Sequence, residues 1–371
     1  MVDEMNEYLC IKNFGPLENI EIDNIRPLTV FIGEAGSGKS SIMKVLTLFR
    51  WIYKKICIRS YLKNSGISRS PFRFNFEQLK RNNGFENYFN ENTEIVYRRG
   101  NNEISYSNGK LNSDVLIRNE ELSLDKISYI SDKRNVIPEL LAKNVSITNS
   151  FYLNETWNDF SEAVNSFDNI EIPYLGVRLS KKKVQNGYKF YVEGNENSSF
   201  QVGFEDSSSG MQNVAPLITI VDYFEHKYDL VKSFNKAIIS ILSENDLLSK
   251  FKSEQDVGKV NYKNLFFHIE EPELSLFPES QLDLMNQLVQ LCFNSEGKIF
   301  KTNCMITTHS PYIINYLNLL IKSKTLAFND VAAYQVIDGC LYDLMLKENN
   351  IVDTRLLSEP ISNIYAKYNK L

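Results

Sequence analysis

The chain has 371 residues, is 43% hydrophobic, and sets 41 Lys and Arg against 46 Asp and Glu for a formal net charge of −5. That length allows one large or two ordinary domains, and the apolar content is that of a globular protein. The acidic balance gives no global nucleic-acid signature, and no run of about twenty apolar residues is present to span a bilayer. The start, Met1 to Glu7, is acidic and lacks an apolar signal core, so a cytoplasmic location without a membrane is expected. Cys10, Cys57, Cys292, Cys304 and Cys340 are scattered and odd in number, which reads as reduced core thiols, not a disulfide framework or a zinc site.

In chain order, Tyr8-Leu9-Cys10-Ile11 and Ile20-Glu21-Ile22 read as short strands joined by the turn Asn13-Phe14-Gly15-Pro16. They form a small antiparallel sheet beside the next strand, Leu28–Ile32. A helix is predicted from Ser40 to Tyr53, and another around Phe76 to Arg81. Thr93–Tyr97 and Glu103–Tyr106 flank Gly100-Asn101-Asn102, a hairpin signal. Lys126–Ile130 is a strand, and the pattern from Val136 to about Phe167 is helical. Strands return between Val177 and Phe204, with turns at Asn186-Gly187 and Gly194-Asn195. Helices follow from Gln212 to Phe224 and from Leu230 to Phe251, then a polar loop from Glu254 to Asn261. Leu265–Ile269 is a continuous apolar run, the pattern of a central parallel strand, and Cys304–Thr308 is one more buried strand. Ser280–Phe293 is helical, and Pro311 opens a helix to Lys322, a good use of proline in a first turn. Val331–Val336 and Leu341–Leu344 flank Asp338-Gly339 as a hairpin, and Ile361–Tyr368 is helical. No internal repeat or long heptad array is present.

Four motifs carry chemistry. Gly33-Glu34-Ala35-Gly36-Ser37-Gly38-Lys39-Ser40 fits the phosphate-loop pattern G-x-x-x-x-G-K-[ST] between a buried strand and a helix. Glycines let backbone N–H groups converge on an anion, and the following helix adds its positive end. Lys39 reaches the β- and γ-phosphates, and the Ser40 hydroxyl ligates Mg²⁺. ATP and Mg²⁺ are therefore the expected cofactors. Second, Leu265–Ile269 runs into Glu270-Glu271-Pro272-Glu273. A carboxylate at a strand tip holds Mg²⁺ opposite the loop hydroxyl, and the next one polarises the attacking water. Asp is commoner at the first position, so Glu270 is a departure. Third, Ser208-Ser209-Gly210-Met211-Gln212 opens a helix, a further anion-facing device. One subunit has a single phosphate loop, so a second device makes sense on the nucleotide of a neighbouring copy. Fourth, Thr307-Thr308-His309-Ser310-Pro311 places a histidine at a strand end, where it can sense a γ-phosphate. His268, inside an apolar strand, reads as a satisfied core residue.

The order of these motifs resembles the ABC-type ATPase superfamily, in the soluble branch of RecF, SMC-type heads and OLD-type ATPases. It is most similar to the bacterial ATP-binding proteins labelled AAA family ATPase. The resemblance covers the N-terminal strands and about Ser207 to Leu319. It implies an α/β fold: an ABC-type P-loop ATPase head with a mixed central sheet flanked by helices, an N-terminal antiparallel β subdomain and an inserted helical lobe. Residues 1–371 then form one ATPase domain. Its lobes are 1–135 with the phosphate loop, 136–206 as the insertion, and 207–371 with the remaining motifs. The implied roles are nucleotide binding by Gly33 through Ser41, Ser209 and Gly210 as signature residues, Glu270 and Ser40 at the metal, Glu271 as catalytic glutamate and His309 as switch histidine. Leu274–Pro278 corresponds to the D-loop, where Phe277 departs from the relatives' histidine. At the Q-loop position the chain has Ser131-Asp132-Lys133-Arg134, and Arg134 is expected at the nucleotide. The implied partners are a second copy in a homodimer or higher oligomer and a separately encoded effector of a bacterial defence or toxin system. The alternative is a DNA-clamping ATPase of repair or chromosome maintenance, with Lys54-Lys55, Arg98-Arg99 and Lys181-Lys182-Lys183 as phosphate contacts. No fused nuclease is expected.

Overall fold

The sheet grows outward from Leu28–Ile32, a strand buried at every position. The computed structural model describes residues 6–67, 74–143, 151–185, 187–194, 200–251, 260–293 and 300–369. The first part of the chain folds as β1 (Glu7–Phe14), β2 (Leu17–Ile22), β3 (Leu28–Ile32), α1 (Lys39–Asn64), α2 (Phe76–Asn82), β4 (Glu94–Arg99), β5 (Asn102–Ser107), β6 (Lys110–Asn112) and β7 (Ser123–Ile130). The middle part contains α3 (Ile137–Lys143), α4 (Phe151–Val164), β8 (Asn169–Ile172), β9 (Val177–Val184), β10 (Gly187–Gly194), β11 (Gln201–Gly203), α5 (Ser209–His226) and α6 (Leu230–Glu244). The last part contains β12 (Tyr262–Glu270), α7 (Pro278–Phe293), β13 (Lys301–Thr308), α8 (Pro311–Lys322), β14 (Val331–Ile337), β15 (Cys340–Asp343), β16 (Met345–Leu346), β17 (Ile351–Val352) and α9 (Arg355–Tyr368).

Eleven strands form one sheet in the order β6-β5-β4-β1-β2-β15-β14-β3-β13-β12-β7. The five strands from β14 to β7 are parallel. Their near-continuous burial follows from helices on both faces. Alternation along a strand divides the core in two. Leu28, Val30 and Ile32 face one cluster with α5, α7 and α8, while Phe31 faces the other with α1 and α6. The antiparallel strands expected beside β3 are hydrogen-bonded into this same sheet. Gly339, at φ +70°, turns the β14–β15 hairpin against β2, and its carbonyl accepts from Glu18 N at 3.0 Å. A Cβ there would meet Pro16 O at 2.2 Å, so this join requires glycine. A separate four-stranded sheet, β11-β10-β9-β8, shares the first core with α4 and α5.

Helix α1 runs eleven residues past the expected end at Tyr53, to Asn64. Ile56, Cys57, Tyr61 and Leu62 keep its buried face going beyond Lys54-Lys55 until the chain turns at Ser65-Gly66. The predicted turns at Asn186 and Asn195 and the loop 254–259 lie outside the described residues. Four of the five cysteines are buried, Cys340 is half-buried, and all five are unbridged.

Between α1 and the sheet lies a buried ionic cluster. Arg50 pairs with Glu7, which also accepts from Tyr97. Arg50 Nη1 meets His268 Nε2 at 3.0 Å, and the opposite ring nitrogen lies 3.3 Å from Ser128 O. Donation by Arg50 therefore fixes a neutral imidazole protonated at Nδ1. Burial, reinforced by Arg50, pushes the His268 pKa well below the usual imidazole range. Arg99 forms a fork with Asp125 at 2.6 and 3.2 Å, and Asn264 Nδ2 donates to the same carboxylate at 2.9 Å. Burial works against ionised Glu7, but Arg50 wins and its pKa is lowered. Replacing Arg50 by Met strands that carboxylate. The expected loss is about 3–5 kcal/mol of unfolding free energy, read as a lower midpoint in urea. A variant as stable as the parent would contradict this account of the cluster.

Candidate active site

The loop Gly33–Ser40 leaves β3 at its C-terminal end and enters α1. Gly36 and Gly38 have φ of +80° and +105°, and a Cβ on Gly38 would lie 2.3 Å from Leu17 Cδ2. Lys39 is buried, and its Nζ donates to Gly33 O at 2.9 Å and Glu34 O at 2.8 Å. Burial lowers the pKa of this ammonium, against the opposing pull of Glu271 and Glu273. Helix α1 opens at Gly38 with no side-chain cap and no acidic residue in its first turn. Its first amides therefore remain available to an anion. Ser37 Oγ is buried in the loop without a hydrogen-bond partner. Glu34, Ala35 and Gly36 are exposed, Ser40 is half-buried and Ser41 is buried.

Strand register brings the other groups to the same edge. Ile32 pairs with Thr308 and Thr307 pairs with Glu270, so the loop, His309 and Glu271 leave three adjacent parallel strands at their C-terminal ends. In parallel α/β sheets this edge is where ligands bind. Glu270 is 3% exposed, with Lys44 Nζ at 3.4 Å from Oε1 and Asp132 N donating to Oε2 at 3.4 Å. Glu271 adopts the left-handed region at φ +42°, held by its N–H on Thr307 O at 2.8 Å. Its Oε1 lies 3.4 Å from His309 Nε2. Burial raises the Glu271 pKa; His309 opposes this, Glu273 and Asp132 add to it, and Lys39 opposes it.

Arg134, expected at the nucleotide, is instead committed to backbone carbonyls within the fold. Its side chain is fully buried, and Nε donates to Asn213 O at 3.0 Å. Nη1 donates to Ser131 O at 3.1 Å and Glu270 O at 2.7 Å, and Nη2 to Glu271 O at 2.7 Å. Backbone carbonyls take four of its five N–H groups, which makes it a clamp behind the site. Burial pushes its pKa down to about 10.

Ser208, not Ser209, caps α5, accepting from Met211 N at 3.4 Å. Ser209 is the first helical residue and is exposed. Gly210 is buried against Leu274–Pro278, where a Cβ would sit 3.1 Å from Ser275 O. Among the described residues no hydrogen bond links Ser209 or Gly210 to the phosphate loop.

Sequence reasoning missed two residues. Glu273 Oε1 accepts from Thr308 Oγ1 at 2.6 Å and His309 N at 2.7 Å, which fixes the histidine's backbone. Lys44 stands one turn after Ser40 on α1 and reaches Glu270. The first was visible as the second Glu of Glu-Pro-Glu, the second as the i, i+4 spacing. Among the described residues no three His, Cys, Asp or Glu gather as a metal centre. Ser40 with Glu270 fits Mg²⁺, which takes one or two carboxylates and completes its shell from phosphates and water. Among the same residues no helix is long and apolar enough to cross a membrane.

A carboxyl whose folded pKa is raised holds its proton more tightly in the folded chain. Ionised Glu271 therefore opposes folding above the ordinary carboxylate range, and the penalty disappears as pH falls below it. Glu271→Gln should raise the thermal midpoint at about pH 7, with the gain shrinking towards about pH 4. A variant less stable than the parent at neutral pH would contradict the assigned cause.

No curated protein matches the chain in sequence. Among solved structures it is similar to the SMC head domain from Thermotoga maritima, at 12% identity over 93% of this chain and 99% of that one, with a TM-score of 0.34. The recombination mediator protein RecF is 11% identical over 93% and 100% of the two chains, at a TM-score of 0.37. A bacterial ABC transporter cassette in dimeric form is 11% identical over 90% and 96%, at 0.32. Likenesses at such scores carry no weight for function. The sequence model of the AAA ATPase domain matches residues 5–52 and 50–314. The chain therefore belongs to the AAA ATPase domain family.

Proposed function

We propose that this ATPase binds ATP with Mg²⁺ and hydrolyses it in an ABC-type site completed by a second copy of the chain. The observation that carries the reading is the register that brings the phosphate loop, Glu270-Glu271 and His309 to three neighbouring strand ends. Loop amides and Lys39 bind the polyphosphate, with Lys39 exchanging the carbonyls of Gly33 and Glu34 for phosphate oxygens. When bound by Ser40 and Glu270, Mg²⁺ supplies charge neutralisation across the phosphates. Glu271 takes the proton of the attacking water as the water oxygen joins the γ-phosphorus and the bond to the β-phosphate oxygen breaks. Burial raises its pKa, which makes it a stronger base than an ordinary carboxylate. His309, its backbone held by Glu273, orients Glu271. Exposed Ser209, on an α5 N-terminus without acidic residues, is placed to cap the nucleotide of the partner copy.

Residues 136–206 serve in this reading as a lobe inserted between the phosphate-loop lobe, 1–135, and the lobe 207–371. The assembled dimer is the sensor or scaffold of a bacterial defence or toxin system that works with a separately encoded effector in the cytoplasm. The DNA-clamp alternative is less well supported. Lys182 pairs with Glu193 at 2.5 Å, Arg99 is buried on Asp125, and Arg98 lies on Glu103 and over the Tyr8 ring. Lys54 is pushed down by burial to about 8. Lys182, Arg98 and Arg99 are thus engaged within the fold.

Mixing variants tests the shared site. Lys39→Ala and Ser209→Glu should each abolish turnover. A 1:1 mixture should regain about a quarter of parental activity, because half of randomly paired dimers hold one intact composite site. No recovery in any ratio would rule out completion in trans.

Glu271→Gln should lower turnover by at least about a hundredfold and yield a dimer that persists with ATP in sedimentation. The same variant with ATP is the bait for the effector, and salt-dependent DNA affinity would shift the reading to the alternative.

A further inference from the structure

Lys44 has no role in the proposed hydrolysis, yet it pairs with Glu270. Ser40 and Lys44 are one turn apart on α1 and share a face. Lys44 Nζ lies 3.4 Å from Glu270 Oε1 and 5.2 Å from the ring centroid of Tyr152 on α4. The two side chains are 29% and 4% exposed, so the carboxylate is nearly closed off from water while the ammonium keeps a route to it. Asp is commoner at the first strand-tip position, and the extra methylene of Glu270 extends the carboxylate beyond an aspartate's reach.

We propose that Lys44 is a positioning residue that sets the divalent-cation affinity of the site, by holding Glu270 against α1 as an internal cation with which the metal competes. This rests on the assignment of Ser40 and Glu270 to the metal. Two cations sharing one carboxylate in a poorly hydrated place repel, and the repulsion is weakly screened there. A metal ion must draw Glu270 away from Lys44 or accept the ammonium beside it. Either way its affinity is lower than a lone carboxylate would give. Occupancy then becomes sensitive to free cation concentration, while phosphate binding by the loop and Lys39 is left alone.

The test is Mn²⁺ binding followed by the loss of the free-ion paramagnetic signal, with a non-hydrolysable ATP analogue present. Lys44→Met should bind Mn²⁺ about tenfold more tightly than the parent. Lys44→Arg should stay close to the parent, and Glu270→Asp, too short for Lys44, should lose the response to Lys44→Met. Analogue affinity in chelator should be the same in the parent and in the two Lys44 variants. Lys44→Gln with a thermal melt replaces the Met variant if that fails to fold. Unchanged or weaker Mn²⁺ binding without Lys44 would overturn the inference while leaving the nucleotide site standing. A parent protein that binds no analogue would overturn the site reading and this inference together.

Discussion

A buried guanidinium with no carboxylate among its hydrogen bonds holds the site together. Arg134 reaches the carbonyls of Ser131, Asn213, Glu270 and Glu271, which belong to the turn after β7, to α5 and to the end of β12. Burying a cation is costly unless it is compensated. Compensation comes from four hydrogen bonds and from the surrounding field of Glu273, Asp132, Glu270 and Glu271. Acids and arginine therefore depend on one another. The arginine fixes the backbone that aims the carboxylates, and their charge makes its burial tolerable. The left-handed turn at Glu271 sits between two such restraints, its N–H on Thr307 and its carbonyl on Arg134. The clamp also joins α5 to the carboxylates. Asn213 gives its carbonyl to Arg134, and its side chain donates to Ser209 O at 2.9 Å. A load on the exposed end of α5 thus meets the Glu270–Glu271 backbone through two side chains.

Helix α1 supplies the second restraint. It carries Lys39, Ser40 and Lys44 at the site and Arg50 in the ionic cluster, about 16 Å along its axis from Lys39. Arg50 is tied to β1 through Glu7 and to β12 through His268. The helix that presents the phosphate loop and the strand that presents Glu270 are therefore pinned to each other at a distance from the chemistry. That junction also includes the antiparallel strands, because Tyr97 of β4 donates to the same Glu7 carboxylate.

Much of this was legible in the sequence where a local rule acts alone. The apolar runs of β3, β12 and β13 announced buried strands, Pro311 marked the start of α8, and Asp338-Gly339 marked a hairpin. The phosphate loop was readable because glycine spacing and backbone conformation are one constraint. Long-range choices were not readable. Backbone carbonyls carry no residue signature, so nothing in Ser131–Arg134 showed that Arg134 would turn inward. The join of β15 to β2 is made by the pair Cys340 and Asn19 and by the Glu18–Gly339 hydrogen bond, between remote segments. The helix expected to end at Tyr53 continues past Lys54-Lys55 because Ile56, Cys57, Tyr61 and Leu62 stay buried.

Neighbouring carboxylates at one strand end acquire different chemistry from their surroundings. Glu270 closes the strand's regular conformation, so its side chain points to α1 and meets Lys44. Glu271 follows in the left-handed region, which swings its side chain towards β13 and His309. A one-residue change of backbone conformation thus assigns one acid to the helix that carries the loop and the other to the histidine. Environment divides such pairs into separate roles. Here the dividing element is the Arg134 clamp, because it fixes both carbonyls and with them the angle between the two side chains.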